Sequence, residues 1–184
     1  MHRRLARYTL PLLLLGLLSA CGFQLRGTGA DANPIPDEWK SMHLITGNPN
    51  GEFAREVKTR FAANGVQWQE RGAANYTLHL GPERMERRNL SIDRNARAAE
   101  FELTLSTSLR VTDSEGQQLL DPEEIRVHKI MTHDPENVTG KVEEERLLRR
   151  EMRTELVQRL MRKVRFLATT STATTTASTA SISG

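Results

Sequence analysis

The sequence predicts an α+β domain: a two-layer sandwich of two helices on a mainly antiparallel four-stranded sheet, in the order β-α-β-β-β-α. Three observations carry this. From Ala99 to Thr112 apolar and polar residues alternate, the signature of a half-buried antiparallel strand. Phe53, Val57 and Phe61 recur every four residues, and Leu148, Met152, Leu156 and Leu160 do the same further on, so each set lines one helix face. No internal repeat and no second core is visible, and the chain suffices for one domain.

The first strand spans Trp39 to Ile45, with Trp39, Met42, Leu44 and Ile45 supplying apolar surface. Gly47-Asn48-Pro49-Asn50-Gly51 is a turn, and Asn48 or Asn50 is the expected N-cap of the first helix. Asn64-Gly65 ends that helix, because glycine accepts the left-handed conformation that closes many helices. Val66 to Gln69 reads as a brief edge segment. In the second strand Tyr76, Leu78 and Leu80 alternate with Thr77 and His79. In the third, Phe101, Leu103, Leu105, Leu109 and Val111 face one way. Glu100, Glu102, Thr104, Ser106, Ser108 and Arg110 face the other. At roughly 14 residues it far exceeds the usual strand of about 5–6. After the turn Asp113-Ser114-Glu115-Gly116, a fourth strand runs from about Glu124 to Met131, and Ile130 breaks its alternation in the manner of a bulge. His133 to Asn137 is another turn. The longest helix follows, from about Val142 to Phe166, with Glu143, Glu144 and Glu145 in its first turn and Arg162, Lys163 and Arg165 near its end, both complementing the helix dipole. Residues 169–184, all small and uncharged but for Ile182, read as a disordered tail.

The start of the chain is an address. His2-Arg3-Arg4 and Arg7 precede an apolar run from Tyr8 to Leu18, too short for the roughly 20 residues that cross a bilayer, so residues 1–20 read as a secretory signal. Leu18-Ser19-Ala20-Cys21 resembles the bacterial lipobox, which implies a diacylglyceryl and an N-acyl lipid on Cys21, the only cysteine. The alternative is an ordinary signal cut near Ala20, with Cys21 incidental. Gly22 is not the aspartate that retains Gram-negative lipoproteins in the inner membrane, so the expected address is the periplasmic face of the outer membrane. Residues 21–37 read as a tether able to reach roughly 50 Å, ahead of a domain over residues 38–168.

This address changes the reading of charge. The net +3 belongs to the signal: without its three arginines, the 26 Lys+Arg fall to the number of Asp+Glu, 23. A balanced chain gives no support to nucleic-acid binding. With Cys21 lipidated there is no thiol left for a disulfide.

Catalytic chemistry is hard to find. No G-x-S-x-G elbow, Walker loop or H-E-x-x-H helix appears. His128 and His133 near Asp134 make the nearest approach to a metal cluster, but their spacing fits no common zinc pattern. These and His43 and His79 read as surface imidazoles. The segment Glu83 to Arg97 says more. It carries Arg84, Arg87, Arg88, Arg94 and Arg97 between two strands, as a solvated hairpin end or as a set of phosphate-binding forks. Lys141, just before the last helix, opposes the helix dipole, a mildly unfavourable placement that suits a contact residue.

Together these residues carry a resemblance. Cys21-Gly22-Phe23-Gln24-Leu25-Arg26-Gly27, Asn48-Pro49-Asn50-Gly51, Arg94-Asn95-Ala96-Arg97-Ala98-Ala99-Glu100-Phe101, Lys141 with the acidic stretch after it, and Arg150-Glu151-Met152 resemble, in order, the lipopolysaccharide-assembly lipoprotein family LptE (RlpB). Around His128 to Met131 the aromatic residues of the family are missing. The resemblance implies a non-enzymatic α+β domain that sits inside the β-barrel LptD, helps assemble it, binds lipopolysaccharide and supports its delivery to the cell surface. It also implies that Arg94 and Lys141 are the lipopolysaccharide-contacting residues. A strand rising about 45 Å with a polar face fits a barrel lumen. The other readings are a periplasmic envelope hydrolase and a structural lipoprotein without a ligand.

Overall fold

A computed structural model of the chain describes residues 35–92, 98–132 and 138–180, with backbone alone at 92, 98–99, 132, 138–141 and 172–180. Among these the strands are β1 (Ser41–Thr46), β2 (Gln67–Trp68), β3 (Tyr76–Leu80), β4 (Arg84–Ile92), β5 (Ala98–Asp113) and β6 (Gln118–Thr132). The helices are α1 (Glu52–Ala62), between β1 and β2, and α2 (Val138–Ala180). The class is α+β as expected, but the sheet has six strands rather than four. One addition is β2, the expected edge segment, which pairs parallel to β1 over two residues. The other is β4. Its charged sequence has no apolar alternation, and backbone pairing with β5 makes it a strand.

β5 is the axis of the sheet. β6 runs antiparallel beside it, from Glu100↔Thr132 to Thr112↔Gln118. On the other side β3 pairs with one end of β5 (Tyr76↔Asp113 to Leu80↔Leu109) and β4 with the other (Arg84↔Ser106 to Ile92↔Ala98). β3 and β4 therefore lie end to end, separated by Gly81-Pro82-Glu83. The chain presses close to β5 at that break: the Gly81 amide donates to the Ser108 carbonyl at 2.9 Å, and a Cβ on Gly81 would collide with the Ser108 Oγ. β1 lies parallel beyond β3.

Both helices cover one face of this sheet. Phe53, Val57 and Phe61 of α1 join Met152, Leu156, Val157, Leu160 and Val164 of α2 in a single core with Leu78, Leu103, Leu105, Leu109 and Val127. Each such side chain contributes about 1.5–3 kcal/mol by leaving water, as an upper estimate. Glu100, Glu102, Thr104, Ser108 and Arg110 of β5 point to the opposite face, which no described element covers.

Several local expectations change. Trp39 lies in a 3-10 turn (Asp37–Lys40) ahead of β1, fully buried, its ring stacked on Tyr76 at 3.9 Å. Ile35, inside the segment read as tether, is also buried, so the domain begins earlier than residue 38. The N-cap of α1 is Gly51, not Asn48 or Asn50, and no side chain caps it. Gly65 does close the helix, with φ +92°. β6 begins at Gln118 and pairs without interruption past Ile130, which simply faces outward at 65% exposure. The irregularity falls instead where Asp121 and Pro122 oppose β5 near Leu109 and Val111, as expected for a proline with no N–H to give the ladder.

α2 is longer than its apolar stripe at both ends. It starts at Val138, so Lys141 stands inside its first turn and Glu143 to Glu145 lie one turn later. It continues to Ala180, through the segment read as a disordered tail. Threonine hydroxyls return to backbone carbonyls there: Thr169 Oγ1 donates to Arg165 O and Phe166 O at 3.1 and 2.9 Å, and Thr170 Oγ1 to Phe166 O at 2.9 Å. Ala168 is fully buried. Cys21, with the residues up to 34 read from the sequence as signal and tether, lies outside the described residues.

Candidate functional site

Arg94 lies outside the described residues, in the segment that joins β4 to β5, and Lys141 is placed by its backbone only. The elements around them nevertheless meet at one end of the sheet. β4 ends at Ile92, β5 starts at Ala98 (paired with Ile92) and β6 ends at Thr132, with α2 starting at Val138. α2 runs back along β6: Lys129 Nζ meets Glu151 at 2.8 Å, Arg159 Nη1 donates to Arg126 O at 2.7 Å, and Lys163 Nζ meets Glu123 at 2.6 Å. Its first turns thus stand at the end from which β5 emerges. From Val142 to Glu151 no residue is buried, and Val142 and Leu147 are 76% and 53% exposed.

The arginines expected in a hairpin end sit largely on a strand. Arg84 and Arg88 point to the uncovered face, opposite Ser106 and Glu102, and Arg88 pairs with Glu102 at 3.1 Å. Arg87 points to the helix side, its guanidinium 3.5 Å above the Phe101 ring. Arg97 lies outside the described residues with Arg94. His128 is exposed and shares a hydrogen bond with Thr104 Oγ1 at 3.0 Å, while His133 and Asp134 lie outside the described residues. No cluster of metal ligands occurs among the described residues.

A buried charge holds the β3–β4 break to the helices. Arg153 of α2 is 9% exposed; its Nε reaches both Glu83 carboxylate oxygens at 3.2 and 3.1 Å, and its Nη1 reaches Glu52 at 2.6 Å. Burial works against the guanidinium charge, but the Glu83 and Glu52 carboxylates outweigh it and raise its pKa. One side chain thereby links α2, the start of α1 and the β3–β4 break. The recess around it, lined by Asn48, Gly51, Phe53 and Pro82, measures about 520 Å³.

On the uncovered face His79 accepts a hydrogen bond from Arg110 Nη2 at Nδ1 (3.0 Å) and donates from Nε2 to Thr112 Oγ1 (3.2 Å). Burial, then Arg110, Arg71 and His43, lower its pKa below the ordinary 6.5. Asp113 lies across the same recess. Because the folded imidazole resists protonation more than the unfolded one, its contribution to stability is complete above pH 6.5 and is lost as pH falls from there. Urea midpoints compared at neutral and mildly acidic pH should therefore converge in His79→Gln; an unchanged gap would place the acid sensitivity elsewhere.

The sequence profile of the family "LptE: Lipopolysaccharide-assembly" matches residues 39–164. The chain belongs to the LptE family. Among its relatives, the LPS-assembly lipoprotein LptE of Photorhabdus laumondii is 30% identical over 163 residues, covering 86% of both chains. That of Yersinia pestis is 29% identical over 164 residues, covering 86% of this chain and 76% of its own. The crystal structure of rare lipoprotein B from Shewanella oneidensis is 26% identical with a TM-score of 0.62, covering 72% of this chain and 96% of its own. Lipoprotein B of Nitrosomonas europaea, 20% identical with a TM-score of 0.65 over 83% of this chain and 94% of its own, shares the fold.

The stretch of this LptE-family chain that matches the profile starts at the buried Trp39 and ends at the buried Val164, so it contains both helix faces and all six strands. Sequence reasoning missed two things inside it. β4 shows no periodicity that could have marked it as a strand. Arg153 sits between Met152 and Thr154 on a helix rich in arginine, and only its burial among acids from distant segments separates it from its neighbours.

Proposed function

We propose that the chain is a lipid-anchored, non-enzymatic factor of lipopolysaccharide assembly, held by Cys21 at the periplasmic face of the outer membrane. There it sits within an LptD-type β-barrel, helps that barrel assemble, and contacts lipopolysaccharide through Arg94 and Lys141. The family match over residues 39–164 carries this reading. The architecture supports it. β5, at 16 residues, rises roughly 50 Å, and its uncovered face is polar, as a water-filled lumen requires. A barrel around the sheet would also shield the open edges that β4 and β6 present among the described residues. The segments that carry Arg94 and Lys141 leave the sheet at one end, so two cations can address one phosphorylated glycolipid.

Two measurements test this. Purified from detergent-solubilised membranes, the protein should bring down a large outer-membrane barrel at equal stoichiometry; a clean monomer would overturn the barrel assignment and favour a structural lipoprotein. In Arg94→Glu with Lys141→Glu, lipopolysaccharide binding should fall by about tenfold or more and the remaining binding should lose its salt dependence, with the circular dichroism spectrum unchanged. Unchanged binding would leave both as ordinary surface charges. A hydrolase would be revealed by an activity that one histidine substitution abolishes.

A further inference from the structure

At the other end of β5 the uncovered face carries a second group of cations. Two cross-strand rows define it: Ile45, His79 and Arg110 in one, His43, Thr77 and Thr112 in the next. Arg71, from the 3-10 turn Arg71–Ala73, completes a recess of about 340 Å³ that Thr77, Thr112 and Ser114 also line. Among the described residues neither Arg71 nor Arg110 meets a carboxylate within salt-bridge distance, in contrast to Arg88 and Arg153. Arg110 gives one N–H to the neutral His79 and keeps its others. The carboxylate lining the recess, Asp113, has its Oδ1 engaged by the amides of Glu115 and Gln117 at 2.9 and 2.8 Å. Asp113 keeps its charge, so two guanidinium groups face one carboxylate across the recess, and hydroxyl donors stand beside them.

We propose that Arg71 and Arg110, with Thr77 and Thr112, form an anion site for a terminal phosphate group, as inorganic phosphate or a phosphate monoester, separate from Arg94 and Lys141. Guanidinium forks match the paired oxygens of a phosphate, and a dianion offers acceptors for the threonine hydroxyls as well. His79 senses occupancy. Burial is the main cause that lowers its pKa, but Arg110 and Arg71 add to it, and a bound anion offsets their part, so the imidazole pKa moves upward as the phosphate enters. Arg110 lies twelve residues along β5 from Ala98, roughly 40 Å at strand rise, so one phosphate group cannot reach both this recess and the Arg94 end. The site does not depend on the lipopolysaccharide reading. A free phosphate ion, a phosphorylated sugar and a lipid headgroup ending in a phosphate monoester share this chemistry.

The experiment is a calorimetric titration of the full mature protein in detergent with inorganic phosphate, glucose 1-phosphate and, in place of detergent, phosphatidylglycerol vesicles, each against chloride at matched ionic strength. The His79 ring is followed by NMR. Saturable binding of one phosphate or sugar phosphate per chain is expected, with the His79 pKa moving upward. Arg110→Gln and Arg71→Gln should each weaken binding about tenfold or more, and Arg88→Gln should leave it unchanged. Arg71 is exposed and bonded to no described residue, so its loss does not threaten the fold. Binding no stronger than chloride, or binding that survives Arg71→Gln, would overturn the site. Saturation by the phosphodiester vesicles with none by inorganic phosphate or glucose 1-phosphate would overturn the assignment of ligand class. If Arg94→Glu with Lys141→Glu abolishes the phosphate signal, the two sites are not separate.

Discussion

Arg153→Ala is expected to destabilise the domain by about 3–5 kcal/mol, the cost of breaking a buried ion pair from one side. The reason lies in what the substitution leaves behind. Glu83, with its side chain 19% exposed, would keep its charge in a site built around a guanidinium, whereas Glu52, 68% exposed, would return to water at little cost. The loss should therefore belong mostly to Glu83. Glu83→Gln in the Arg153→Ala background should recover much of it, and urea unfolding of the four proteins in that cycle measures the coupling directly. Glu83 also ends the break between β3 and β4, so amide exchange in β4 should quicken in Arg153→Ala before it does in β3. A loss under 1 kcal/mol, or no recovery in the double variant, would show that the triad is not what ties the β3–β4 break to the core.

Phe61→Ala is expected to cost about 3–5 kcal/mol as well, by a different route. The ring is fully buried, 5.8 Å from the Trp68 ring, and its own carbonyl accepts the amides of Asn64 and Val66 as the chain turns from α1 into β2. Truncation opens a cavity that the stacked helix and sheet cannot close, because α1 is held to α2 through Thr154, whose Oγ1 donates to Glu56 at 2.7 Å. Phe166→Ala is the comparison: the same residue type, 68% exposed, should stay within about 0.5 kcal/mol of the parent. Equal losses for the two phenylalanines in denaturant midpoint would contradict the burial pattern of both helices.

These residues show where the sequence could be read and where it could not. Phe61 stood out because Phe53 and Val57 precede it at helical spacing. Leu103, Leu105 and Leu109 stood out because polar residues separate them on a strand with one wet face. Ile130 misled: an apolar residue in the wrong phase suggested a bulge, when it merely faces outward opposite Glu102. On sequence Lys141 falls just outside a helix that in the structure contains it, because neither the stripe nor the acidic run extends to Val138. His79 and Arg110 each fall on the polar side of a strand in the sequence, but nothing local shows that the strands are neighbours and bring Arg71 to the same recess.

By itself, then, the sequence determined the apolar faces of β5, α1 and α2, the closing glycine at Gly65, and through them the α+β class. Such features are local, since each residue's phase records its own burial. The tertiary structure decided that β4 is a strand, that it continues the line of β3 along β5, and that Arg153 meets Glu52 and Glu83. Those outcomes rest on backbone hydrogen bonds that any residue can supply and on charges that pair only once distant segments are folded together, so they leave no period in the chain.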